Sequence, residues 1–78
     1  MGTRVEYSAS VGDYRGDMSP IELEVGSRDG CVVITLSRDP GEGRPEVFQG
    51  CRLEPAEAEA VLAALKRASD AATREPRD

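Results

Sequence analysis

The apolar residues of this 78-residue chain change period at Leu53, and that change constrains the fold more than any other feature. Upstream they alternate, as in Ile21-Glu22-Leu23-Glu24-Val25, which is the period of a strand with one buried face. Downstream of Pro55 they recur at Ala58, Val61, Leu62, Leu65, Ala68 and Ala72, the spacing of an amphipathic helix. The expected class is therefore α+β: a four-stranded antiparallel β-meander followed by one C-terminal α-helix packed on one face, in the order ββββα.

The boundaries follow from the same patterns. Strands are expected at about 4–11, 21–25, 31–37 and 46–53, a helix at about 55–70 and a frayed tail at 71–78, all in a single small domain. Val5, Tyr7, Ala9 and Val11 alternate with polar residues and form one inward row. Gly12 to Pro20 is longer than a hairpin needs, and reads as a mobile connector or a binding loop. If Ser27-Arg28-Asp29-Gly30 is a four-residue loop, Val25 falls opposite Val32 and Leu23 opposite Ile34, with Val32, Ile34 and Leu36 inward and Cys31 outward. Val47, Cys51 and Leu53 are out of phase with Phe48, so a bulge at Gln49-Gly50 is expected to let Phe48 point inward. Pro55 suits the first helical position, Glu54, Glu57 and Glu59 suit the positive end of the helix dipole, and Lys66 and Arg67 suit the other end. Leu62 and Leu65 are expected at the centre of the core, covering Leu23, Ile34 and Phe48. Ala60, Ala63 and Ala64 lie beside that stripe and serve either helix propensity or a partner helix.

A chain of this length buries only about 60% of the surface that its unfolded form exposes, so it needs a further source of stability. No metal-ligand spacing is present, which leaves self-association, and the expected partner is a second copy in a homodimer. The net charge of −5, from 15 acidic and 10 basic residues, disfavours wrapping a phosphate backbone. Nine of the basic residues are Arg and Asn is absent, a bias expected of a GC-rich bacterial genome. There is no apolar run of signal-peptide or membrane-span length, which predicts a cytoplasmic protein with no membrane partner. Cys31 and Cys51, twenty apart, fit neither a redox pair nor a zinc site and are expected to be thiols.

Catalytic chemistry finds no support in the residue types. Histidine is absent, so neither cysteine has a base to activate it. Glu22 and Glu24 stand at outward strand positions, where nothing desolvates them. Together with Glu6 and Glu46 they are expected to make one sheet face acidic. Arg15-Gly16-Asp17 matches an adhesion tripeptide, an expected coincidence in a loop rich in glycine and aspartate. No enzyme and no cofactor are expected.

The strand-strand-strand-strand-helix order ending in Leu53-Glu54-Pro55-Ala56-Glu57-Ala58 resembles, in architecture, single-strand-binding transcriptional coactivators. That resemblance implies dimeric curved sheets presenting basic and aromatic side chains. The outward residues expected here are mainly Glu, with Arg4 and Arg52 as the basic ones and no aromatic platform. The leading expectation is thus a small non-enzymatic binding or regulatory module acting through protein contact, with Tyr14, Arg15, Met18, Arg4, Val33 and Arg52 as candidate partner-binding residues. The alternatives are a single-stranded nucleic-acid binder using Arg4, Arg44 and Arg52, or an acidic inhibitor or nucleic-acid mimic from a mobile element.

Overall fold

The computed structural model describes residues 2–13, 16, 20–38 and 46–76, with 46–48 described by backbone alone. Its elements are β1 (Arg4–Val11), β2 (Ile21–Arg28), β3 (Cys31–Arg38), β4 (Glu46–Leu53) and α1 (Pro55–Arg74). The strands form one antiparallel sheet in the order β1-β2-β3-β4, so the expected ββββα architecture is the one adopted.

β2 runs on past Val25 to Arg28, and the turn to β3 is only Asp29-Gly30. Both turn residues have positive φ, 52° and 79°, as the tightest right-twisting hairpins require, and Asp and Gly accept that geometry better than other residues. The shorter turn moves the register by two residues. Val25 pairs with Ile34 and Leu23 with Leu36, in place of the expected Val32 and Ile34. A two-residue shift preserves the side-chain parity, which is why the inward assignment of Val32, Ile34 and Leu36 survives.

Two bulges decide which residues share a face. In β1 the pairing skips Glu6, so Tyr7 pairs with Val25 but Val5 pairs with Gly26, and Val5 leaves the row expected of it. In β4 the extra residue is Phe48, since Leu36 pairs with Gln49 and Ser37 with Val47. The expected site at Gln49-Gly50 is one step too late, and Gly50 lies in regular pairing with Thr35. The inward direction expected for the Phe48 side chain lies outside the described residues.

Reading across the ladders gives two faces. One carries the rows Tyr7-Val25-Ile34-Cys51 and Ala9-Leu23-Leu36-Gln49, with Ser27-Val32-Leu53 at the end where the helix departs. The other carries Val5-Gly26-Val33-Arg52 and Ser8-Glu24-Thr35-Gly50. Gly26 belongs where it does because a Cβ would collide with the Arg4 carbonyl oxygen and the Thr3 methyl beside the first bulge.

α1 starts as its sequence dictates. Pro55 occupies the first helical position, and the Glu57 carboxylate accepts a hydrogen bond from the Glu54 backbone N–H at 2.9 Å. It continues four residues beyond the expected end, to Arg74, and the Glu75 N–H closes it on the Ala72 carbonyl at 3.2 Å. Its backbone approaches only β3 and β4. Consequently the expectation that Leu62 and Leu65 form a closed core is not met. They are 61% and 62% exposed, and among the described residues no apolar side chain is buried. The radius of gyration is 14.5 Å, against about 11.5 Å for a compact chain of this length.

Candidate functional site

Among the described residues, three places that bring side chains together bear on function. The largest in apolar character is a cleft between α1 and the sheet, to which the sheet contributes Val25, Val32, Ile34 and Leu53 and the helix contributes Ala58, Val61, Leu62 and Leu65. It exists because two patterns of different period share one chain: inward strand residues and one helical stripe meet at Leu53, where β4 hands over to α1. The cleft opens toward β1 and β2, where Tyr7, paired with Val25, is 58% exposed. An unpaired apolar wall of this kind binds other apolar surface, because removing it from water is favourable by about 25 cal/mol per Å².

On the opposite face, Arg28, Asp29, Val33, Gly50 and Arg52 outline a shallow depression. Two of the expected contact residues, Val33 and Arg52, are direct cross-strand partners there. Gly50 supplies the space, since it places no side chain between them and the middle of the face. Arg28 joins them at the end of β2, and ending β2 at Val25 hides that membership. Arg4 does not join them: its register partner is Ser27, on the helix-bearing rows, and its guanidinium pairs locally with Glu6 at 3.1 Å. Tyr14, Arg15, Met18 and Arg44 lie outside the described residues.

The uniformly acidic face expected of Glu6, Glu22, Glu24 and Glu46 is not formed. Glu22 and Glu24 share the open face, with Glu22 accepting a hydrogen bond from the Ser10 hydroxyl. Glu6 is the bulged residue of β1, and Glu46 takes register opposite Arg38 on the other face. The open face is thus graded, basic toward the Asp29-Gly30 turn and acidic toward the other end.

The third place was not anticipated. Asp13, just beyond β1, reaches across the end of β2 to Arg38 at the end of β3, with Oδ2 2.8 Å from Nη2. The Asp13 side chain is 1% exposed and the Arg38 side chain 28%. The Gly16 N–H donates a hydrogen bond to the Asp13 carbonyl at 2.9 Å. The signal in the sequence was parity, because Arg38 continues the inward series Val32, Ile34, Leu36 and therefore needs an anion on that side. This pair ties the strand ends together.

Both cysteines are free. Cys31 is at the start of β3 with Sγ 3.9 Å from Glu54 Oε1, while Cys51 pairs with Ile34 on the helix-bearing rows. Among the described residues no helix is long and apolar enough to cross a membrane.

Fold and surfaces define an α+β chain with one unpaired apolar cleft and one small, graded polar face. Compared with protein-family models, with curated proteins and with solved structures, the chain finds no match.

Proposed function

We propose that this chain is a non-enzymatic binding or regulatory module that works in the cytoplasm through protein–protein contact, as a homodimer. The observation that carries the reading is the state of its apolar residues: among those described none is buried, and the largest on the helix, Leu62 and Leu65, line the cleft yet stay more than half exposed. A chain with so little enclosed surface gains most of its stability from whatever covers that surface. Equilibrium unfolding in urea tests it. A homodimer unfolds at a midpoint that rises with protein concentration, and a midpoint unmoved between about 1 and about 100 μM rejects the homodimer.

A second reading has one observation in its favour. Arg28 and Arg52 flank the depression on the open face, and two phosphates of a single strand fit such a pair. Binding of that kind weakens with salt at a log–log slope of about −1.4 for two contacts. Affinity for oligonucleotides that is absent at low salt removes this reading and leaves the first intact.

A further inference from the structure

The cleft faces a specific occupant. We infer that it is closed by α1 of a second copy, the two helices lying antiparallel about a two-fold axis that passes between Leu62 and Leu65. The inference rests on the homodimer reading above and adds its geometry.

Area comes first. A compact 8.4 kDa chain exposes about 4,600 Å². This one exposes 6,603 Å², an excess of about 2,000 Å², whereas a stable interface removes about 800 Å² from each partner and an obligate one more. Taken over the whole chain, that excess is large enough to contain an interface of this size.

Position comes next. α1 is 20 residues, about 30 Å, and Leu62 and Leu65 sit at its middle. Two copies crossing there antiparallel overlap along nearly their whole length. The apolar stripe also outruns its own cleft: the cleft is lined by α1 only as far as Leu65, yet the stripe continues through Ala68 and Ala72. Small residues at that end let a second helix approach closely.

Charge selects the direction. By helical spacing Glu59 and Lys66 border the stripe on the same side. Antiparallel alignment about this axis brings Lys66 of each copy beside Glu59 of the other, twice over, while parallel alignment about a two-fold puts the two Glu59–Lys66 edges on opposite sides of the contact, where they form no such pair. The arrangement is self-complementary, as a two-fold contact must be.

Sedimentation equilibrium at micromolar concentration, with circular dichroism on the same samples, tests the proposal on three chains. Wild type should have twice the mass of one 8.4 kDa chain. Leu62→Glu with Leu65→Glu should lose at least tenfold in association, and Ala63→Glu, half a turn away from the stripe, should keep it. A monomeric wild type rejects the homodimer reading and this inference with it. A dimeric wild type whose double variant stays folded and dimeric rejects only the inference. Should the double variant lose its circular dichroism, trapping decides. In chains made cysteine-free by Cys31→Ser and Cys51→Ser, Leu62→Cys and Leu65→Cys proteins are mixed and oxidised mildly. The mixed 62–65 disulfide should predominate; predominance of 62–62 and 65–65 products, or no covalent dimer, overturns the antiparallel axis.

Discussion

The two faces of this sheet are built from the same eight-residue strands, yet they solve opposite problems. The helix-bearing face carries Val25, Val32, Ile34, Leu36 and Leu53, and α1 approaches only its β3 and β4 side. The open face carries Ser8, Glu24, Thr35, Gly26 and Gly50, small or polar residues that tolerate water, and beside them only Val5 and Val33 among the described apolar side chains in its full rows. One face therefore asks for more cover than a single chain provides, and the other asks for much less. The lesson is that one helix stripe and four inward rows are unequal in area, so alternation correctly marks which side is apolar without ensuring that it is enclosed.

Neighbouring residues in β3 give the sharpest test of that contrast. Ile34→Ala removes a branched side chain from the cleft and should cost about 3 kcal/mol in urea unfolding. Thr35→Ala, the next residue on the opposite face, should stay within about 0.5 kcal/mol. Equal losses at the two positions show that the open face is covered as well, and break the comparison.

Asp13→Ala tests whether the strand ends depend on a buried charge. It takes away the carboxylate that meets the half-buried Arg38 and should destabilise by about 2 kcal/mol, below the usual value for a fully buried pair because the Arg38 side chain is partly exposed. Asp13→Asn, which keeps the shape and a weaker acceptor, should fall between Ala and wild type. A loss below about 0.5 kcal/mol for Ala, no more than an ordinary surface substitution, means that the contact contributes nothing to stability.

The open face has one point where it is crowded. Gly26→Ala forces a methyl against the Arg4 carbonyl and the Thr3 side chain and should cost about 1.5 kcal/mol, with the damage localised by faster amide exchange in β1. Gly50→Ala meets only ordinary contacts, near 3.5 Å from the Ile34 carbonyl and Thr35, and should cost less. If the two glycines respond alike, the close approach at the first bulge is not what selects Gly26.

The smallest expected effect is none. Cys31 belongs to the open-face ladder and Cys51 to the helix-bearing one, so their sulfurs cannot meet at disulfide geometry. Unreduced protein alkylated under denaturing conditions should show two free thiols by mass spectrometry. An intramolecular disulfide would put both cysteines on one face and undo the register.

Much of this was legible before any coordinates. Ile21 to Val25 and Cys31 to Ser37 state their faces through parity, and parity survives a two-residue error in the turn, which is why the inward set was read correctly with the wrong partners. The bulges were not legible in the same way. Nothing local marks Glu6 as the residue that β1 skips, and the Gly50 that drew attention is regular, because a bulge answers to the twist and to the neighbouring strand rather than to its own side chain. The interaction residues divide similarly. Arg52, expected to point outward, and Val33, expected to contact a partner, are cross-strand neighbours, whereas Arg28 and the Asp13–Arg38 contact depend on where β2 ends and on the place of Asp13 just beyond β1.

The sequence by itself determined the order of elements, the side that β2 and β3 turn inward and the start of α1 at Pro55, since these follow from short-range periodicity and from backbone groups within one turn. Only the tertiary structure decided the register across Asp29-Gly30, the positions of the two bulges, the partner of Arg38, and how little of the stripe from Ala58 to Ala72 its own sheet covers. Those depend on contacts between segments far apart in the chain, and a hydrophobic stripe looks the same in sequence whether its own sheet or another helix comes to lie against it.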